Sequence, residues 1–284
     1  MSPPIILGSV CDEWDYTAKS CVSQATVYQL PGTAAAYFLT KMAIDADGAP
    51  KAYYPGEYYP SNSHQAFDWL DNLNVNDQHG VQGADASAPG FLVSGTALTD
   101  TAHYPSNDTH CYVDASSIPY IVLTGGTFPT PNSTGLQTGA LAFVVDTRTG
   151  NYSGAIYADV GRAVGEASLA LALMLSIDPF SKRYWPKVTG GVTGRVIFYL
   201  VFPKVIIPPP WDVKTIQQSA YAEFQAWGDE PALNQLFPAM PKMSGPRPII
   251  IRPPVQIQDF DANDDATNER IKGSDISKEQ LNEL

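Results

Sequence analysis

The most constraining feature of this 284-residue sequence is a stretch near its middle, Ala155–Ser168. An apolar run ends at Asp159, a loop with two glycines follows, and Glu166 stands at the far end of that loop. An apolar run bounded by glycine predicts a buried strand. Ser168 then precedes an apolar segment that ends before Pro179, which predicts a helix capped by Ser168. The fold must therefore hold two carboxylates on rigid elements across a short gap.

Composition predicts the fold class. The chain is 44% hydrophobic, which is ample for a core, and it has 24 prolines, 15 tyrosines and only 16% charged residues. Exposed helices usually carry more Lys and Glu, so this composition favours strands and irregular loops. Many short apolar runs separated by turn signals are typical of a small closed barrel. We predict a mainly β fold, a small closed β-barrel with a few helices and a helical or irregular C-terminal extension.

Changes in amino-acid composition along the chain indicate four regions. They are an N-terminal extension (1–25), a candidate catalytic domain (26–204), a Pro-rich and helical extension (205–255) and an acidic tail (256–284). Residues 1–25 are interpreted as irregular. Helices are predicted near Asp212–Trp227 and Pro231–Phe237, and the extension that carries them is expected to dock on the barrel or to meet a protein partner. The tail is expected to be disordered.

Charge limits the partners. The formal net charge is −12, of which −5 falls on Gln256–Leu284 and −7 on the rest. The negative charge outside the tail argues against binding to nucleic acid and fits a cationic substrate. A surface whose acidic residues only keep the protein soluble explains the same charge equally simply. Apolar runs such as Val196–Phe202 are too short to span a membrane. No Sec signal peptide is visible, so action outside the producing cell requires another route or a removed leader, and a cytoplasmic location stays open.

Neither cysteine nor aspartate spacing indicates a metal site. Cys11 and Cys21 can pair and leave Cys111 odd, but three free thiols fit equally well, and no Cys-x-x-Cys pair exists for zinc. Asp45 and Asp47 open a turn that lacks the later ligands of a calcium loop, so a turn with Asx hydrogen bonding is the simpler interpretation. We expect no metal and no cofactor.

Four ordered motifs resemble one enzyme family. The motifs are 41–50 with Ala52-Tyr53, 90–94 through Asp100, 112–115 with 118–123, and 157–161 with 165–168. Together they resemble the fungal-type chitosanases of glycoside hydrolase family 75, over roughly residues 33–204. The resemblance implies internal cleavage of chitosan with inversion, with the catalytic Asp and Glu of the family falling on Asp159 and Glu166. The last motif is also similar to the Asp-Gly signature of double-psi β-barrel glycan-cleaving domains, which implies a barrel of that kind.

The resemblance assigns roles. Inverting hydrolysis needs one protonated carboxyl as acid and one ionised carboxylate as base, about 6.5–9.5 Å apart. We favour Glu166 as the acid because its loop is partly apolar, although the sequence leaves the assignment open. The second-rank candidates for binding the polymer are the carboxylates Asp45, Asp47 and Asp114 and the stacking rings Tyr53, Tyr54 and Trp69. Asp114 fits a strand-end carboxylate bonded to backbone equally well, and core packing of the aromatic rings is an equal alternative.

Two other functions remain open. Tyr54 stands where the family usually has His, and Ala167 where a Gly often follows the Glu. These departures and the added C-terminal region motivate an enzyme that cuts peptidoglycan glycan strands, such as an antibacterial toxin or a wall-remodelling enzyme. A catalytically silent glycan-binding module is the third hypothesis. Polysaccharide is the expected partner in all three.

Overall fold

The computed structural model describes residues 3–60, 66–73, 78–79 and 81–251. Its strands are β1 (Ile5–Asp15), β2 (Ser20–Gln29), β3 (Ala36–Asp45), β4 (Gln78–His79), β5 (Val93–Ser94), β6 (Tyr120–Leu123), β7 (Ala140–Asp146), β8 (Tyr152–Val160), β9 (Glu166–Ser168) and β10 (Val192–Ile206). Its α-helices are α1 (Leu169–Met174), α2 (Val213–Trp227) and α3 (Asp229–Leu236). The prediction of a mainly β fold is confirmed.

Six strands close into a barrel. They pair in the order β3-β10-β7-β8-β6-β9, and β9 pairs back to β3 to complete the ring. The β6–β8 and β3–β9 pairs are parallel, whereas the other pairs of the ring are antiparallel. Closure leaves no edge strand within the ring, and it brings strands distant in sequence side by side. The predicted small closed barrel is confirmed.

The N-terminal residues form a hairpin, so the prediction of an irregular extension is wrong. Strands β1 and β2 pair antiparallel, and Tyr28 of β2 pairs with Tyr37 of β3. Few of the hairpin's side chains are buried, because it is a ribbon attached to the outside of the barrel. Apolar alternation is therefore weak, and it is the signal from which a strand is predicted. Cys11 and Cys21 form a disulfide across the hairpin, which settles their pairing, and Cys111 is a buried free thiol.

Apolar side chains pack on both faces of the barrel wall. One cluster takes side chains from all six barrel strands, among them Phe38, Ile121, Ala142, Tyr157, Ala167 and Tyr199. The other face packs against α2, where Phe224 stacks on Phe143 with ring centroids 4.2 Å apart. Gln217 of α2 also accepts a hydrogen bond from the Gly154 N–H at 2.6 Å. The C-terminal extension therefore docks on the barrel.

The predicted helices form with small differences in their bounds. Asp212 caps α2, accepting from the Thr215 N–H at 2.8 Å, and Ser168 caps α1, accepting from the Leu171 N–H at 3.1 Å. Helix α1 ends at Met174, earlier than predicted, and Glu166–Ser168 form strand β9 because β3 and β6 both supply pairing partners. None of the helices described is long and apolar enough to cross a bilayer. The acidic tail, 256–284, lies outside the described residues.

Candidate active site

Strand register brings Asp159 and Glu166 to one face of the sheet. Val122 of β6 pairs with Asp159 of β8 on one side and with Glu166 of β9 on the other. Register partners on neighbouring strands project from the same face, so both carboxyl groups emerge together. Two strand spacings of roughly 4.8 Å put their backbone positions about 9–10 Å apart. The two predicted catalytic residues therefore flank a single strand.

Asp45 and Asp47 join them from β3 and the turn after it. Ala43 pairs with Glu166, so Asp45, two residues further along β3, projects from the same face. Carboxylate oxygens of Asp45, Asp47 and Asp159 all lie within 4.8 Å of one another. We call these three residues and Glu166 the carboxyl cluster. Two residues ranked second from the sequence thus lie directly beside Asp159.

Hydrogen bonds hold the cluster in place. Asp159 accepts from the Ala97 N–H at 2.8 Å, which ties it to the loop after β5. Asp45 accepts from the Asp47 N–H at 2.9 Å, which is the predicted Asx turn. The Tyr53 hydroxyl donates to the Asp47 carboxylate at 3.1 Å, and the Tyr120 hydroxyl donates to the Asp47 backbone oxygen at 3.0 Å. These contacts fix the side chains before any ligand arrives.

The pKa of every carboxyl in the cluster is raised. Burial, followed by the charge of Asp45, raises the pKa of Asp159 to about 8. Burial and then Asp45 raise the pKa of Glu166 to about 7, while Lys41 opposes the shift. Burial is also the largest cause of the raised pKa of Asp45 and Asp47. Each of the four keeps part of its surface exposed, so the cluster can be reached from solvent.

The Glu166 carboxylate lies beside the loop that follows Asp159. A Cβ placed on Gly161 would stand 3.6 Å from Glu166 Oε2. That distance is an ordinary contact, and glycine is needed here because the same Cβ would stand only 2.9 Å from Val122 Cγ1 and 3.1 Å from the Ala163 backbone oxygen. Among the causes of the Asp159 shift, Glu166 comes after Asp45, so the two predicted catalytic groups interact less with each other than each does with Asp45. Asp45 is their common neighbour, a role that its sequence position does not reveal.

Three of the carboxylates are spaced to hold a cation. Within the described ranges, Asp45, Asp47 and Asp159 form the group with this spacing. Carboxylate oxygens suit hard metal ions such as Mg²⁺ and Ca²⁺, and they equally suit an ammonium group. The expectation of no metal stays a prediction.

The structure does not support the sugar-stacking roles predicted for Tyr53 and Trp69. Tyr53 is 4% exposed and Trp69 is 5% exposed, so little ring surface is open to a sugar. Trp69 packs edge-on against Tyr59 and lies under the Lys187 ammonium, 5.6 Å from its ring centroid. Tyr54 is half-buried and packs against Phe91 with ring centroids 5.1 Å apart. The alternative of core packing fits Tyr53 and Trp69.

Asp114 holds a turn. Its carboxylate accepts from the Ser116 N–H at 2.8 Å and from the hydroxyls of Ser116 and Ser117 at 2.6 and 2.8 Å. Its backbone oxygen accepts from the Ile118 N–H at 2.9 Å. This is the backbone-bonding alternative considered for the residue, so the predicted contact of Asp114 with substrate has no support from its surroundings.

The sequence analysis missed the hairpin's contribution to the site. Arg162 lies over the Trp14 ring, 5.4 Å from its centroid, and the Val164 N–H donates to the Cys11 backbone oxygen at 2.8 Å. Burial raises the pKa of Tyr16, and Glu166 is the next largest cause. The tip of the β1–β2 hairpin therefore lies against the loop between the two candidate catalytic residues. The aromatic residues near 14–16 were the available signal.

No protein-family profile matches this sequence, and no curated protein matches it. The chitosanase resemblance thus rests on the four motifs alone.

Proposed function

We propose that this protein is a glycoside hydrolase that cuts a β-1,4-linked hexosamine polymer internally, with inversion, and that chitosan is the leading substrate. The supporting observation is that Asp159 and Glu166 share one face on either side of β6. Their backbone separation of about 9–10 Å is compatible with the carboxyl separation of about 6.5–9.5 Å that inverting enzymes use. Both have a pKa raised towards neutrality, which proton transfer at neutral pH requires.

The pKa values favour Asp159 as the acid. With a pKa of about 8 it keeps its proton at neutral pH, whereas Glu166, at about 7, ionises first. Glu166 then activates water as the general base, and Asp159 protonates the leaving oxygen. This is the reverse of the assignment favoured from the sequence. Burial is the largest cause of the raised pKa in both residues, and the charge of Asp45 is the next.

Asp45 and Asp47 are placed to bind an ammonium group of glucosamine. An ammonium near them stabilises their ionised forms and lowers their raised pKa values. Binding of a cationic sugar would thus release protons from the cluster. This fits the acidic body of the protein, which attracts a cationic polymer.

The test is product analysis with chitosan. The wild type is expected to release oligomers whose new reducing ends carry inverted configuration, seen by proton NMR within the first turnovers. Asp159→Asn and Glu166→Gln are each expected to lower kcat by about 10²–10⁴-fold, the usual contribution of a general acid or base. Glu223→Gln, on α2, is the matched control and keeps full activity. A wild type that leaves chitosan intact excludes chitosan as the substrate.

Peptidoglycan glycan strands are the second candidate substrate. The observation that favours them is Arg162, a cation in the loop between Asp159 and Glu166 that can bind the carboxylate of muramic acid. Release of wall fragments, with chitosan left intact, would move the substrate to this class. Saccharide binding that survives Asp159→Asn, with no product from either form, would instead support the silent binding module.

A further inference from the structure

A pocket of about 320 Å³ lies between the hairpin and the loop after Asp159. Its lining includes Trp14 from β1, Thr124 and Thr127 after β6, and Gly161 and Arg162 after β8. We call it the hairpin pocket. Its volume is at the lower end of small-ligand sites, roughly 300–1,000 Å³, which suits a single sugar unit.

The polar groups of the hairpin pocket include one cation. The Arg162 guanidinium lies over the Trp14 ring, 5.4 Å from its centroid, and its N–H groups have no hydrogen-bond partner among the described residues, so they can bind a planar anion. None of the described residues that line the pocket is acidic. Asp12, on the same hairpin, is neutralised by Arg195 at 2.8 Å. Arg162 is thus the one charged side chain among the described residues that line the pocket.

Thr124 gives an independent indication of a polar ligand. Its hydroxyl is buried and has no hydrogen-bond partner among the described residues. A buried polar group without a partner is costly, at about 1–3 kcal/mol. The neighbouring Thr127 hydroxyl donates to the Thr124 backbone oxygen at 2.9 Å, so it does not serve as a partner for the Thr124 hydroxyl. A sugar hydroxyl or carboxylate in the pocket would satisfy the orphaned group.

The hairpin pocket adjoins the candidate active site at Gly161. Gly161 lines the pocket and also lies against the Glu166 carboxylate. Val164, in the same loop, is tied to the hairpin through Cys11. A polymer bound across the carboxyl cluster would thus place a neighbouring sugar unit in the pocket.

We propose that the hairpin pocket is a subsite for a pyranose that carries a carboxylate, with the ring against Trp14 and the carboxylate on Arg162. The inference rests on the proposed glycan hydrolysis and deepens it, because it adds an acidic sugar unit next to the hexosamine unit at the carboxyl cluster. Muramic acid and uronic acids share this chemistry. Arg162 recognises the carboxylate through charge-assisted hydrogen bonds.

Binding, measured by calorimetry on the full chain at low salt, tests the subsite without requiring cleavage. The probes are an N-acetylglucosamine–N-acetylmuramic acid disaccharide, a hyaluronan tetrasaccharide, a chitin tetrasaccharide and a chitosan tetrasaccharide. At least one carboxylated probe is expected to bind about tenfold tighter than the chitin probe, the scale of one charge-assisted contact. Which of the two binds separates muramic acid from uronic acid. The preference should shrink as salt is raised.

Variants assign the preference to Arg162. Arg162→Gln is expected to abolish it and Arg162→Lys to retain part of it. Arg183→Gln is the matched control, because Arg183 also lies over an aromatic ring, that of Tyr184, at 5.1 Å, and it should leave the preference unchanged. Equal binding of neutral and carboxylated probes, or a preference that survives Arg162→Gln, overturns the proposal. Carboxylated probes that bind without hydrolysis of any polymer would keep the subsite and overturn the proposed function.

Discussion

At the scale of single residues, Asp45 is the largest cause, after burial, of the raised pKa of both Asp159 and Glu166. It is the first-ranked charge acting on both Asp159 and Glu166, and in each case it raises the pKa. A negative neighbour disfavours ionisation, so its removal has the opposite effect. Proton transfer at the site therefore depends on a residue that need not touch the reacting atoms.

We expect Asp45→Asn to lower the pKa of both Asp159 and Glu166. If Asp159 is the acid, the alkaline limb of the activity profile moves to lower pH, because the acid loses its proton earlier. Carboxyl carbon NMR titration of the wild type and the variant measures the shifts directly. Glu223→Gln should leave both titrations unchanged. A rise in either pKa would contradict the arrangement described for the cluster.

The Lys187–Glu57 pair is a second residue-scale feature. Both side chains are fully buried, with Lys187 Nζ 2.7 Å from Glu57 Oε1, and Lys187 also donates to the Ala66 and Asp68 backbone oxygens at 3.0 and 2.9 Å. The ammonium thus ties Glu57, Ala66 and Asp68 to the segment before β10. A buried charge that loses its partner is strongly destabilising.

Lys187→Met is expected to lower the free energy of unfolding by about 3–5 kcal/mol, because Glu57 is left buried and unpaired. The double variant Glu57→Gln/Lys187→Met should lose less than the sum of its two single variants. Urea unfolding of the wild type, the two single variants and the double variant gives the double-mutant cycle. Additive losses would show that the pair is not coupled.

At the scale of elements, α2 packs closely against β8 at Gly154. A Cβ on Gly154 would stand 2.7 Å from the Ala220 Cβ and 2.9 Å from the Ile216 backbone oxygen. Both contacts belong to α2, and a helix backbone cannot yield as a flexible side chain does. The close approach also allows the hydrogen bond between the Gly154 N–H and Gln217.

Gly154→Ala is therefore expected to push α2 from the barrel and to cost about 1–3 kcal/mol of stability, the range for overpacking. Thermal and urea unfolding measure the loss. Gly126→Ala is the matched control, since a Cβ there meets nothing within 4 Å, and it should stay near wild type. Equal stability of the two variants would show that α2 adjusts freely.

Elements differ in how well the sequence predicts them. Strands β7, β8 and β10 and helix α2 were predictable because each carries its own apolar pattern or cap. The hairpin and β9 were not, because one is mostly exposed and the other is three residues long. The pairing of Val122 with both Asp159 and Glu166 is non-local, so no local pattern encodes it. Asp159, Glu166 and Asp45 were all named from the sequence, and the sheet pairing that makes Asp45 a neighbour of the other two was not.

At the scale of the whole molecule, the carboxyl cluster links stability to pH. Asp159 rises from an ordinary pKa of 3.8 to about 8 and Glu166 from 4.5 to about 7. The folded protein therefore holds protons that the unfolded chain releases between these values. This contribution to stability is fully present at a pH below the pKa values of the unfolded chain. It is lost as the pH rises towards the pKa values of the folded protein.

We expect the free energy of unfolding to fall between about pH 4 and pH 8 from this source. Asp159→Asn, which cannot ionise, should flatten that fall. Urea unfolding of both proteins at pH 5 and pH 8 measures it. A variant with the same pH slope as the wild type would place the linkage elsewhere.

Strand β6 determines the spacing of the two candidate catalytic carboxyls. Because Val122 lies between Asp159 and Glu166, sheet pairing sets the spacing of the two carboxyls, and the length of the loop that joins them does not. The loop carries Gly161 and Arg162, which line the neighbouring pocket. Evolution or an engineer can thus vary the exposed Arg162 to change what the pocket binds, while the spacing of the two carboxyls is inherited unchanged.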